Sequence, residues 1–149
     1  MRRFILLLIS IIISVSAFSH DVVKLGNELL DVTDMDDAKF ILVNNGMTIE
    51  TSDKIFIDPN KQIIASNGSN VVCIVAAEKH SNHVASVTFI SESMIDGLEE
   101  NLSKLGYKAV SDTGNGEYCN GNKSCKISHQ TLNGVEVIQI EFFIKRSQE

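Results

Sequence analysis

Three cysteines carry the clearest chemistry of this sequence, and their spacing separates them into a pair and a single residue. Cys119 and Cys125 flank the polar segment Asn120–Ser124, a flexible loop that is able to bring two sulfurs together. We therefore predict a Cys119–Cys125 disulfide, worth about 2 kcal/mol for so short a loop. Two free thiols in a mobile loop are the alternative. Cys73 lies within the apolar run Val71–Ala77, where it is expected to pack in a core as a small apolar residue.

His80 and His83 form the only paired metal-ligand spacing in the sequence. A zinc site would need two further ligands, and none lies at a recognised distance. The segment from His80 to His83 is therefore predicted to be a polar turn between two strands, and no metal site is expected.

Catalytic signatures are missing from the sequence. There is no G-x-S-x-G elbow, no phosphate loop ending in Gly-Lys-Ser/Thr and no S-x-x-K motif. These absences favour a non-catalytic binding protein over an enzyme. The alternative is a small hydrolase or redox enzyme that uses Cys73 or the histidines, and rapid labelling of Cys73 in the native protein would favour it.

The first residues have the three parts of a secretory signal in the required order. Arg2 and Arg3 give a positive start, Phe4–Ile13 is apolar apart from Ser10, and small residues follow. Cleavage is predicted after Ala17, with cleavage after Ser19 as the alternative. An uncleaved membrane anchor is disfavoured because the apolar stretch is shorter than the roughly 20 residues that span a bilayer. The sequence thus predicts an exported protein, periplasmic or secreted.

Removal of residues 1–17 would leave a single domain over residues 18–149. Arg2 and Arg3 would leave with the signal, which changes the formal net charge from −6 to −8. Such an acidic chain is not expected to bind nucleic acid or, once the signal is cleaved, a membrane surface, because both attract clustered Lys and Arg.

The mature chain reads as more strand than helix, without an internal repeat. Strands are predicted over 54–58, 62–65, 71–77 and 84–90, and over 126–132 and 135–145, where Asn133-Gly134 provides a turn. Residues 39–50 favour a hairpin around Asn44-Asn45-Gly46. A short helix over 35–44, which follows a possible N-terminal cap at Thr33–Asp36 and ends before Gly46, is the alternative.

One main amphipathic helix is predicted from Ser93 to Leu105. Its apolar residues recur at spacings of three and four, at Ile95, Leu98, Leu102 and Leu105. The alternating apolar residues near the C-terminus require a cover, and this helix is the obvious one. The predicted fold class is therefore α+β: a mostly antiparallel sheet with one main amphipathic helix packed on a face.

The order strand, helix, loop, hairpin over residues 84–145 resembles the open sheet of the PsbP-like and Mog1-like proteins. The whole chain, with its signal, its size and its cysteine pair, is similar to a group of small exported bacterial proteins, one of which is described as hemin-binding. This resemblance implies a small binding protein and not an enzyme, with hemin as the leading candidate ligand. No cofactor is assigned with certainty, and heme is the one candidate. A partner protein without a small ligand, as for a secreted virulence-type factor, is the alternative.

Hemin needs an axial His or Tyr and an apolar wall for the flat ring. His83 and Tyr118 are the preferred candidates because both lie in segments rich in Gly, Asn and Ser. Lys123 and Lys126 would have to meet the propionates in so acidic a chain. The further candidates are His80, His129 and Tyr107.

Overall fold

The computed structural model describes residues 22–50, 61–68, 70–110 and 116–145. The predicted signal at residues 1–17, its two cleavage positions and the predicted strand over 54–58 lie outside these residues.

Three short helices and eight strands make up the described part of the chain. The helices are α1 (residues 22–29), α2 (Met35–Asn44) and α3 (Leu98–Lys104). The strands are β1 (Thr48–Ile49), β2 (Gln62–Ser66), β3 (Val71–Ala77), β4 (Val84–Ser91), β5 (Lys108–Ala109), β6 (Glu117–Asn120), β7 (Lys123–Leu132) and β8 (Val135–Ile144). The five strands predicted over 62–90 and 126–145 are therefore confirmed to within a few residues.

All eight strands join one antiparallel sheet in the order β1-β2-β3-β4-β8-β7-β6-β5. Two four-stranded meanders, β1–β4 and β5–β8, thus meet where β4 pairs with β8. The two strands at the outer edges, β1 and β5, have only two residues each. Short edge strands offer few unpaired backbone groups to other chains.

The predicted fold class was wrong, because among the described residues no long main helix packs across a face of this sheet. Only Leu98–Lys104 of the expected helix over 93–105 is helical, and Gly97 before it is left-handed with φ of 71°. Ser93 makes hydrogen bonds with Ser91 and caps no helix. Ile95 is nevertheless buried. Because Ile95 is buried, it continued the apolar spacing of α3 toward the N-terminus, and the predicted helix began more than one turn too early.

The alternative prediction for residues 35–44 is confirmed. α2 begins after Asp34, whose side chain accepts a hydrogen bond from the Asp36 N–H at 3.0 Å. Gly46 follows the helix with φ of 81°, a conformation that favours glycine. The hairpin expected around Asn44-Asn45-Gly46 was therefore wrong, because these residues end a helix.

A structural repeat was not predicted, yet helix α2 with β1–β4 corresponds to helix α3 with β5–β8. The Met47 N–H donates to the Leu42 carbonyl, and the Tyr107 N–H donates to the Leu102 carbonyl sixty positions later, both at 3.0 Å. Gly46 and Gly106 precede these donors, with φ of 81° and 89°. The two units share hydrogen bonds and glycine positions more than residue types, so the correspondence is visible in the structure and not as a repeat of the sequence.

The core lies between one face of the sheet and the three helices. Phe89, Phe142 and Ile140 of the sheet are fully buried in a cluster with helical residues such as Leu25 and Leu102. We call this side of the sheet the core face. The other side, the open face, carries Ile64, Val72, Ile74, Ile90 and Phe143, none of which belongs to that cluster.

α1 was not predicted, although it supplies much of the core. Val22, Val23, Leu25 and Leu29 are all buried. Gly26 allows the helix to approach the sheet closely, because a Cβ there would lie 2.5 Å from the Phe142 ring. The phenol of Tyr107 donates to Asn27 Oδ1 at 2.8 Å.

Candidate functional site

The predicted Cys119–Cys125 disulfide is not formed, and all three cysteines of the chain are free thiols. The segment between them is the tight turn of the β6–β7 hairpin and no flexible loop. In its register Cys119 faces Ser124, whereas Cys125 faces Tyr118. Because neighbouring residues of a strand point to opposite faces, the two cysteine side chains lie on opposite sides of the sheet. This arrangement does not fit disulfide geometry.

Two of the thiols are in the core. Cys73 and Cys125 are fully buried, and burial raises the pKa of each to about 12. A nucleophilic cysteine acts as the thiolate, which these surroundings disfavour. The expectation that Cys73 packs in a core is therefore confirmed, and its burial disfavours the nucleophilic role that the enzyme alternative gave to Cys73.

The two paired histidines lie in the turn between β3 and β4, as predicted. Both are exposed. The His83 N–H donates to Ser81 Oγ at 3.2 Å, and the His83 carbonyl accepts from the Glu78 N–H at 2.8 Å. These bonds hold the turn and leave the imidazole of His83 at the surface.

Tyr107 does not match its predicted role as a hemin ligand. Its side chain is 3% exposed and stacks edge-on against Phe142 with centroids 6.2 Å apart. The hydroxyl donates to Asn27, and burial is the main cause that raises its pKa to about 12. An iron-binding phenolate would have to form inside the core, where it is disfavoured.

Tyr118 is half-buried on the core face, at the edge below α3. Its hydroxyl donates to Glu99 Oε1 at 3.0 Å. Burial raises the pKa of Tyr118, and the bond to Glu99 acts in the same direction. Ligation of a metal by this phenol would require loss of that hydrogen bond.

The predicted ligand candidates are not brought together. β4 and β6 are three strand spacings of about 4.8 Å apart, and Tyr118 on β6 is level with Val87, four residues beyond His83, so more than about 14 Å separates His83 from Tyr118. His129 is exposed near the far end of β7, level with Ser91 at the end of β4. It is therefore more than about 20 Å from His83 along the strands. His83, Tyr118 and His129 are therefore not close enough to hold one iron together, whereas His80 and His83 share the turn between β3 and β4.

Lys123 and Lys126 do not flank a common ligand either. Lys123 forms an ion pair with Asp31, with Nζ 2.8 Å from Oδ1. Lys126 is exposed on the open face, since it faces Glu117 and Glu141 across the sheet. The described residues hold no group of three or more His, Cys, Asp or Glu that could bind a metal.

A polar cluster on the open face was missed by sequence reasoning. Lys108, Cys119, Ser124 and Phe143 face one another in turn across β5, β6, β7 and β8. Ser124 is fully buried, and its Oγ has no hydrogen-bond partner. Lys145 pairs with Glu117 at 2.6 Å beside this row. Only the register of the strands reveals this cluster, since its residues come from four different strands and follow no sequence motif.

The far end of the β7–β8 hairpin extends beyond its neighbours. β4 pairs with β8 only as far as Ile138, and β6 begins at Glu117, opposite Lys126. We call the extension, residues 128–132 and 135–137 with the turn Asn133-Gly134, the β-arm. Among the described residues, no strand flanks it on either side. Leu132 and Val135 are exposed at its tip.

Comparisons with protein-family models, with curated proteins and with solved structures give no match for this chain. Within the described residues, no helix has both the length and the apolar character needed to cross a bilayer.

Proposed function

We propose that this chain is an exported, non-catalytic binding protein that holds an extended, basic segment of a partner protein at the β-arm. The observation that carries the proposal is the projection of the β-arm past β4 and β6, with exposed strand edges among the described residues. Unpaired strand edges recruit extended segments by adding a strand to the sheet.

The outer edge of β7 offers the backbone groups for such pairing. The Ile127 N–H donates outward to the Gly116 carbonyl at 2.8 Å. Because N–H direction alternates along a strand, His129 and Thr131 direct their backbone groups toward the same edge. A partner strand could thus continue the sheet alongside residues 128–132.

The side chains near the β-arm favour a basic and partly apolar partner. Leu132 and Val135 are 43% and 45% exposed, and face each other across the hairpin. Residues 91–97 and 128–138 contain three acids, Glu92, Asp96 and Glu136, and no Lys or Arg. A segment that alternates apolar and basic residues would match both features.

The non-catalytic part of the proposal rests on the positions of the reactive groups. Cys73 is enclosed in the core, His80 and His83 are exposed in the turn between β3 and β4, and His129 is exposed on β7. A nucleophile and a base within hydrogen-bond reach of each other are the usual mark of a catalytic site.

Export rests on the sequence signal, and N-terminal sequencing of exported protein tests it. An N-terminus at Met1 would refute cleavage.

Photo-crosslinking tests the β-arm directly. We would place p-benzoylphenylalanine at Leu132 and, as a matched control, at Val43, which is exposed on α2. α2 contacts β1 and β2, away from the β-arm. A basic partner should crosslink from position 132 and not from position 43. Equal crosslinking from both positions, or none from position 132, would refute the site.

The identified partner, once purified, permits a test of strand addition. Thr131→Pro removes one outward N–H and should weaken binding by about tenfold, whereas Thr131→Ala keeps that N–H and should change binding less than about twofold. Circular dichroism checks that both variants fold. Unchanged binding by the folded Thr131→Pro variant would contradict strand addition.

A further inference from the structure

We propose that Cys119 is a thiol-exchange site on the open face, where it forms a mixed disulfide with an anionic low-molecular-weight disulfide. This inference goes beyond the proposed partner binding and does not depend on it, because the β-arm and Cys119 use different parts of the sheet.

Cys119 is the accessible thiol of the chain. It is half-buried on the open face, whereas Cys73 and Cys125 are fully enclosed on the core face. An external disulfide can therefore reach only Cys119 without unfolding the protein.

Ser124 supplies an unused donor beside this thiol. Ser124 faces Cys119 directly across the β6–β7 pair, so that both side chains point to the open face. The Ser124 hydroxyl is fully buried and has no hydrogen-bond partner. An unpaired buried hydroxyl costs stability and needs an explanation. A hydrogen bond from Ser124 to the reacting sulfur would provide one.

An ion pair passes over these two residues. Lys145 follows the end of β8, and its Nζ reaches Glu117 Oε1 on β6 at 2.6 Å. By the register of the sheet, the row with Ser124 and Cys119 lies between Lys145 and Glu117. The pKa of Lys145 is raised, mainly by its hydrogen bond to Glu117, and the nearby Cys119 thiolate acts in the same direction. A cation thus lies where a thiolate would form.

The charge around Cys119 selects the chemical class of the reagent. Lys108 faces Cys119 from β5 and is exposed on the same face. Lys108 and Lys145 therefore flank the thiol in a chain whose overall charge is −6. A carboxylate of a small anionic disulfide, such as oxidised glutathione, would pair with the exposed ammonium group of Lys108, since Lys145 is already paired with Glu117.

The exchange balances without any further reactant. Cys119 loses its proton to solvent, and its thiolate attacks one sulfur of the disulfide. The new S–S bond forms as the old one breaks. The displaced thiolate leaves with the electron pair and takes up a proton. The cysteine sulfur is oxidised and the departing sulfur is reduced, so the protein is modified once per chain.

Three small disulfides of different charge test the site in the intact protein: oxidised glutathione, which is anionic, hydroxyethyl disulfide, which is neutral, and cystamine, which is cationic. Intact-mass spectrometry follows the rate of each adduct, and peptide mapping locates it. We expect a single adduct on Cys119, formed fastest with the anionic reagent relative to its rate with a free model thiol, and a preference that weakens with added salt. An adduct on Cys73 or Cys125, no adduct on Cys119, or an equal or reversed charge preference would overturn the proposal. A dimer linked through Cys119 in place of the small adduct would also overturn it.

Variants separate the reaction from folding. Ser124→Ala removes an unpaired buried hydroxyl, so it should leave stability unchanged or higher while it slows exchange by about tenfold. Lys108→Glu should reduce the anionic preference by about two- to fivefold, and Lys104→Ala, an exposed lysine on α3, serves as the matched control. If Ser124→Ala reacts at the wild-type rate, or if both lysine variants behave alike, the assigned roles are wrong.

Discussion

Gly26 of α1 lies directly against the ring of Phe142 on β8. A Cβ on Gly26 would come 2.5 Å from both Cδ2 and Cε2 of that ring, well inside van der Waals contact. Phe142 is fully buried and makes edge-on contacts with Phe89 and Tyr107, so the ring has little room to move. The approach of α1 to the sheet therefore depends on the missing side chain at position 26.

Gly26→Ala should destabilise the protein. Alanine in place of glycine within a helix usually stabilises by about 0.5–1 kcal/mol, but overpacking here should cost about 1–3 kcal/mol. Urea denaturation measures the difference. In a Phe142→Leu background, which removes the ring, Gly26→Ala should cost less. An equal cost in both backgrounds would contradict the proposed contact.

The hydrogen bond from Tyr107 to Asn27 joins the second structural unit to α1. Tyr107→Phe leaves Asn27 Oδ1 without this donor and should cost about 0.5–1.5 kcal/mol in the free energy of unfolding. Tyr118→Phe is the matched control, because its lost bond to Glu99 is at the surface and should cost less than about 0.5 kcal/mol. Equal costs for the two variants would count against a buried role for Tyr107.

Alkaline pH gives an independent test of Tyr107. Its pKa is raised from 10.0 to about 12, mainly by burial of the neutral phenol. A folded pKa above the unfolded one means that the contribution to stability is complete below pH 10 and is lost as the pH rises toward 12. The stability of the wild type should therefore fall more steeply over this range than that of Tyr107→Phe. Parallel curves would show that Tyr107 titrates normally.

Local patterns identified the strands well but did not determine the fold. Val71–Ala77 is apolar on both faces and is a central strand, and Asn133-Gly134 forms the turn expected between β7 and β8. The helix expected from Ser93 was too long, because Ile95 is buried without being helical. Apolar spacing reports burial, and a buried loop residue can continue it by chance.

The sequence did not predict which residues face each other across paired strands. The cysteine pairing failed by a single position: Cys119 faces Ser124, so Cys125 is one residue out of register and lies on the other face. The same register creates the cluster of Cys119, Ser124 and Lys108, which no motif indicates. Hairpin register depends on the turn geometry, and the six-residue spacing of two cysteines does not determine it.

Thiol labelling should distinguish the buried cysteines from the accessible one. In native protein a maleimide should modify Cys119 alone, because Cys73 and Cys125 are fully buried. All three should react after unfolding. Peptide mapping without reductant should show no Cys119–Cys125 link, since the two side chains lie on opposite faces. A linked peptide in freshly purified protein would contradict this register.

Hemin titration addresses the ligand predicted from the resemblance. Since His83 and Tyr118 are separated by more than about 14 Å, they cannot bind one iron together. We expect His83→Ala and Tyr118→Phe each to leave the Soret response of the wild type unchanged. A saturable shift near equimolar hemin that either substitution weakens would instead restore a hemin site at that residue.

The two helix ends of the structural repeat allow a matched comparison. Gly46 and Gly106 both follow a helix with positive φ, so alanine at either position should cost about 1–2 kcal/mol from backbone strain. A Cβ at Gly46 meets nothing within 4 Å, whereas at Gly106 it would lie 3.2 Å from Asn120 Nδ2. That amide donates to the Leu105 carbonyl at 3.0 Å, and it would have to shift. Gly106→Ala should therefore lower the free energy of unfolding more than Gly46→Ala does. In an Asn120→Ala background the two glycine substitutions should cost about the same, because only the shared strain remains. A larger effect at Gly106 that persists in that background would show that its neighbour is not the cause.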